Sequence, residues 1–160
     1  MGCFCYNISS MSKAGETRLQ MPSRSNRDGG QAFFTAVGCM DGRVQEPVLA
    51  FGQQKFGAKY ADTITEAGLV GLLAKKNIDR ALLDSIRKKI LISLEKHHSK
   101  GIIVHGHQEC AGNLVEDIQH KKDVLKTAKT IGTLIQNNMQ IIPVFVTRSA
   151  SSRWIAEELS

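Results

Sequence analysis

Thiol and imidazole side chains, the usual protein ligands of zinc, stand at two separated places in this chain. Cys39 lies in Gly38-Cys39-Met40-Asp41-Gly42-Arg43, and His107 and Cys110 follow as His-x-x-Cys in Gly106-His107-Gln108-Glu109-Cys110. A turn that faces inward can bring an imidazole nitrogen and a thiolate at this spacing onto one metal ion; two ligands hold zinc poorly, and Cys39 offers the third. Two thiolates and a neutral imidazole nearly cancel the charge of a divalent ion. They leave a fourth tetrahedral position for water, whose pKa the ion lowers towards neutrality. Taken singly, the two cysteines read equally well as small buried residues and His107 as a core histidine. Residue type, spacing and position at strand ends together favour a zinc site of Cys39, His107 and Cys110, with Asp41 and Arg43 beside it.

The elements that must position these residues are legible from periodicity. Phe33 to Val37 and Ile102 to Val104 are short apolar runs that suit strands buried on both faces, each ending near a ligand. If the two strands lie parallel and adjacent, their carboxyl ends meet, which is where open α/β sheets place their sites. The 68 positions from Cys39 to His107 leave room for a crossover containing helix. Gln45 to Phe56 predicts a helix with Pro47 in its first turn, and Tyr60 to Thr65 a second strand. Leu82, Ile86, Ile90 and Leu94 recur every four residues, predicting a helix over Ala81 to His97 with Asp79 as N-cap. Val124, Ala128, Ile131 and Ile135 predict another that runs from after Asn113 to about Asn138. Ile141 to Val146 is the last expected strand, placed at an edge because Pro143 cannot donate to a ladder. A Ser-rich loop over Arg148 to Arg153 and a short helix over Trp154 to Leu159 close the chain. The expected architecture is α/β, with a central, mainly parallel sheet of about four strands flanked by helices.

Three of the four other histidines can be placed by pattern. His97 and His98 fall at a helix C-terminus, where the helix dipole favours cations. Gly106 is expected to begin the turn after the Ile102 strand, which would take His105 off the face of His107 and make it a packing or hydrogen-bonding residue. Without that turn His105 becomes a substitute ligand or a proton carrier.

Cys-x-Asp-x-Arg ending one strand, His-x-x-Cys ending another, Val104-His105-Gly106 before it and Ser93-Leu94-Glu95 on a helix together resemble the β-class carbonic anhydrases, over roughly Ala32 to Val146. The resemblance implies reversible hydration of CO2 to bicarbonate by zinc-bound hydroxide, with Cys39, His107 and Cys110 as metal ligands. It also implies a dyad of Asp41 and Arg43, in which the guanidinium keeps the carboxylate ionised and the carboxylate orients the nucleophile; some members instead let this aspartate bind zinc. Homodimers with the site at the interface are implied as well. Departures are specific. Thr65-Glu66-Ala67-Gly68 stands where the family usually carries Arg-Asn-Ala-Gly, placing Glu66 where a cation is expected. The 31 positions from Cys110 to Ile141 are fewer than the family commonly has. Hydrolysis of a linear CO2 analogue, carbonyl sulfide or carbon disulfide, and a non-catalytic zinc- or anion-binding module are the alternative readings.

Composition bounds the rest. A chain of 160 residues, 42% hydrophobic and 22% charged, suits one globular domain. A net charge of +6 invites a nucleic-acid reading. The lysines and arginines are instead spread over polar helix faces with acids interleaved and few aromatics, so a solvated basic surface is expected and no nucleic-acid partner. No apolar run approaches the ~20 residues of a membrane span, and no apolar segment of a secretory signal follows the N-terminus, so no membrane association and a cytoplasmic location are expected. Residues 1–30 lack periodicity and read as a flexible leader before a single zinc-binding domain over 31–160. Met1-Gly2-Cys3 suggests acylation, but Tyr6 stands where the myristoylation pattern needs Ser or Thr.

Overall fold

Five strands and four helices are found in a computed structural model that describes residues 31–136 and 138–160. Strand β1 (Phe33–Cys39) is followed by α1 (Gly42–Phe56), β2 (Tyr60–Glu66), α2 (Leu69–Leu73), α3 (Arg80–Lys96), β3 (Ile102–His107), α4 (Asp117–Ile135), β4 (Ile141–Arg148) and β5 (Trp154–Glu158). The sheet order is β2-β1-β3-β4-β5. The first four strands are parallel, and β5 runs antiparallel to β4. The leader expected over 1–30 lies outside the described residues.

Alternation along the strands divides the core between the two faces of the sheet. Val37, Ile102, Val104 and Phe145 pack with Leu69, Val70 and Leu73 of α2, Ile86 and Ile90 of α3, and Val124 and Ile131 of α4. On the other face Phe34, Ala36, Ile103, Val144 and Val146 pack with Val44 and Val48 of α1. Every β-branched residue of β3 is fully buried, as expected for a parallel strand covered on both faces. Asp79 caps α3 as the sequence predicts, its carboxylate accepting from Leu82 N at 2.8 Å.

Four expectations are corrected. The sheet has five strands, because Trp154 to Glu158 forms β5 and not a helix; Trp154 and Ala156 turn inward against the α1 face while Ile155 between them faces out. Strand β4 is therefore interior. The carbonyls of Gln140 and Val146 accept from Ile102 N and Gln108 N at the two ends of β3, so even-numbered residues of β4 bond towards β3 and odd ones towards β5; the Pro143 carbonyl accepts from Leu159 N. The missing N–H of Pro143 thus falls where β5 runs out, and no bond to β3 is lost. Helix α1 starts at Gly42, since Asp41 caps it, which moves Pro47 into the second turn. Finally, Gly106 is no turn: β3 continues to His107, and a side chain at Gly106 would meet Val124 at 2.6 Å and His120 Nε2 at 2.8 Å. Helix α2 has only five residues, too few for its apolar periodicity to be read from sequence.

Candidate metal centre

The order β2-β1-β3-β4 reverses direction between β1 and β3, so the connections leaving these strands diverge and open a crevice at their carboxyl ends. Gly38 pairs with His105 across that boundary, which sets the Cys39 turn beside the His107 turn. The Cys110 turn is held from the other side. The backbones at Gly68 and Gly112 approach so closely that a side chain on either would overlap the other, and Asn113 occupies the space over Gly71. Gly68 also takes a left-handed conformation, φ 61°, in entering α2.

These contacts bring together the three residues singled out from sequence. The ligand atoms of Cys39, His107 and Cys110 all lie within 4.8 Å of one another, with the two sulfurs 3.7 Å apart. All three residues are buried, and both cysteines are free. His107 Nδ1 lies 2.7 Å from the Gln108 carbonyl, an acceptor, so Nδ1 carries the proton and Nε2 the lone pair. Nε2 is buried with no hydrogen-bond partner among the described residues. A buried acceptor of this kind is costly unless something binds it, and the orientation of a metal-ligating imidazole is commonly fixed in this way through its other nitrogen. The donor set therefore fits a metal ion.

Electrostatics point the same way. Burial pushes the Cys39 thiol up, but with His107 doubly protonated the imidazolium, together with the backbone N–H groups of Gly68 and Asp41, outweighs it and brings it down to about 6; in the neutral form described above Nε2 has no proton to give. Cys110 is pushed up by burial, against the backbone N–H groups of Gly112 and Asn113, and further up by the charge on Cys39. Two thiolates this close resist ionising together unless a cation joins them. For His107 burial acts to lower its pKa, and Cys39, the Gln108 carbonyl and Asp41 raise it overall.

Asp41 and Arg43 form a pair beside the cluster. Asp41 Oδ1 accepts from Arg43 N at 2.9 Å and Nε at 3.0 Å, and Oδ2 accepts from Nη2 at 2.7 Å. The guanidinium holds the Asp41 carboxyl down to about 2 against the opposing effect of its burial. Gln45 steadies the turn, its side-chain amide donating to the carbonyls of Cys39 and Asp41 at 3.0 and 2.8 Å.

Several residues escaped sequence reasoning. Glu109, between His107 and Cys110 in the second turn, accepts from Arg43 Nη1 at 3.0 Å, and the Trp154 ring lies 4.8 Å from the Arg43 guanidinium. Glu109 could have been suspected from its place in the motif; nothing in the sequence ties Trp154 to it. His120 of α4, buried behind Gly106 and 6.2 Å from His107 between ring centroids, carries no sequence signal either. His105 lies directly under Gly38, fully buried and outside the three-residue cluster, and burial lowers its pKa to about 3. Glu66 is exposed and accepts from Ala67 N of its own turn at 3.0 Å. His97 caps α3, lies 2.8 Å from Asp62 through Nδ1 and stacks on Phe33, at the opposite end of the sheet from the cluster.

No helix among the described residues is long and apolar enough to cross a membrane. A family model described as "Putative carbonic anhydrase" matches residues 29–156. No curated protein matches the chain.

Proposed function

Since that match spans most of its 160 residues, the chain belongs to this carbonic anhydrase family, and from that premise we propose that it catalyses the zinc-dependent, reversible hydration of CO2 to bicarbonate. The observation that carries the reading is the His107 imidazole, oriented through Nδ1 and offering a buried, unpartnered Nε2 beside two free thiols. Cys39, His107 and Cys110 would hold the zinc. When bound, the ion supplies a Lewis acid that makes water nucleophilic near neutral pH.

The remaining chemistry belongs to the chain. Asp41 is ionised throughout the working pH range because Arg43 stabilises its charge. A carboxylate has about four lone-pair sites. Arg43 N and Nη2, and the Nε–H shared between both oxygens at 3.0 and 3.2 Å, engage them, so the site held only by the longer, shared contact is the one open to a hydrogen bond from the attacking water, whose lone pair it would aim. Both Asp41 oxygens are engaged by Arg43, which favours the open arrangement over one in which Asp41 itself ligates the metal. Glu66 keeps its carboxylate on its own turn and leaves the centre's charge to the cluster and the dyad.

Two features support the wider reading. Free thiols 3.7 Å apart persist in a reducing compartment, in keeping with the cytoplasm. Leu114 and Val115 line a cleft with Cys110 and are exposed, as are Met40 and Ile118, so we place the interface of a homodimer here.

Metal analysis of the purified protein is expected to find about one zinc per chain, and Cys110→Ser to lose it. Stopped-flow CO2 hydration should then show activity that falls about 10–100-fold in Asp41→Ala at unchanged zinc content. Protein purified without bound metal, and unable to take zinc up, would remove the reading. Zinc binding with sulfide release from carbonyl sulfide but no CO2 hydration would transfer it to the CO2 analogue.

A further inference from the structure

The metal-ligand turn after β3 carries a residue whose geometry is not explained by the ligands on either side of it. Glu109 stands between His107 and Cys110 in a left-handed backbone conformation, φ 56°, which is costly for a residue with a side chain. That conformation turns both its carboxylate and its carbonyl towards Arg43: Oε2 accepts from Nη1 at 3.0 Å and the backbone oxygen from Nη2 at 3.3 Å. Asp41 takes Nε and the other proton of Nη2. Four of the five guanidinium N–H groups are thereby committed, two to each turn. The Trp154 ring covers one face of the guanidinium, and Arg148 Nη1 lies 3.9 Å from the second oxygen of Glu109, giving an alternating row Asp41, Arg43, Glu109, Arg148.

Arg43 by itself is a long, half-exposed side chain at the start of α1. Held by Asp41 alone it could carry the carboxylate through a range of orientations, since a partly exposed ion pair is weak and mobile. Glu109 removes that freedom by fixing the far side of the guanidinium to the turn that bears His107 and Cys110. We propose that Glu109 is a positioning residue that locks Arg43, and through it Asp41, to the second ligand turn, so that the dyad and the metal ligands move as one body. The proposal rests on the carbonic anhydrase reading for its consequence in catalysis, but the lock itself is a property of the folded chain. A planar guanidinium gripped on two edges loses far less orientation than one gripped on one.

The experiment uses full-length protein with Glu109→Ala, Glu109→Gln and Glu109→Gly. Glycine adopts the φ of 56° without strain, so Glu109→Gly removes the carboxylate while relieving the backbone and guards against a variant that merely folds poorly. The first readout is hydrogen exchange at the Arg43 Nε–H by NMR, assigned through Arg43→Lys. Exchange should quicken about tenfold or more in Glu109→Ala and Glu109→Gly, and Glu109→Gln, which still accepts through its amide oxygen, should recover part of the protection. The second is CO2 hydration, where kcat should fall about tenfold in the same order with KM and zinc content unchanged. Arg43 exchange as slow in Glu109→Gly as in the parent would overturn the lock, whatever the activity. Quickened exchange with kcat intact would overturn its role in positioning Asp41. If the parent itself fails to hydrate CO2, the functional reading fails separately, and the exchange rates still decide whether Glu109 holds Arg43.

Discussion

A neutral imidazole has one nitrogen that donates and one that accepts, and in His107 a single backbone carbonyl settles which is which. The same economy operates at Asp41, where Arg43 sets the charge. A carboxyl held down to about 2 against its ordinary 3.8 contributes stability that is fully present above the ordinary value and is lost as pH falls through about 2. Arg43→Ala should therefore bring the Asp41 carboxyl back up towards 3.8, read from its side-chain carbon shift in an NMR pH titration. A carboxyl that stays near 2 in the variant would mean that the backbone N–H of residue 43 at the α1 cap, and not the guanidinium, governs it.

Strands β1 and β3 position the centre through one close pairing. Gly38 has no side chain, and the His105 ring of the neighbouring strand lies where its Cβ would be. Gly38→Ala should cost about 1–3 kcal/mol in chemical denaturation, because an overpacked core must shift backbone or force a rotamer. The neighbour of Gly38 in the chain is Cys39, so zinc affinity should drop as well. Replacing His105 by Ala in the Gly38→Ala background should restore part of the loss, a coupling of about 0.5–3 kcal/mol in the double-mutant cycle. Additive effects would show that the two positions do not share the space. The turn at Gly106 on which the expected packing role of His105 depended is absent; its ring instead fills the space over Gly38, with both nitrogens buried and without a hydrogen-bond partner among the described residues.

The whole molecule leaves an apolar rim around the centre: Leu114 is 89% exposed, Ile118 72% and Met40 60%. Large apolar side chains gathered beside a crevice are commonly covered in the assembled state. Light scattering should accordingly give a mass near twice the 17.6 kDa of one chain, and Leu114→Asp with Ile118→Asp should return it to one. A wild-type mass of one chain would place the rim in contact with solvent or with some other protein. Parallel strands make the centre a long-range construction, since Cys39 and Cys110 are 71 positions apart and meet only after β1 and β3 have paired.

Much of this was legible in the chain. Short apolar β-branched runs, a four-residue periodicity in α3 with its Asp79 cap, and two cysteines and a histidine at the ends of such runs depend on local order, and local chemistry expresses them directly. Cys39, His107 and Cys110 were recognisable together because Cys39 and His107 each close a buried strand and Cys110 follows His107 at His-x-x-Cys spacing. What escaped depends on neighbours distant in sequence. Trp154 to Glu158 became a strand because β4 offered it an edge, and Gly106 stayed within β3 because α4 fills the space over it. Glu109 acquired Arg43 as a partner only when two turns 66 positions apart came within hydrogen-bonding distance. Periodicity and motif spacing report which face a residue prefers; which atom it meets there is set by strand order and register, and those are properties of the folded chain alone.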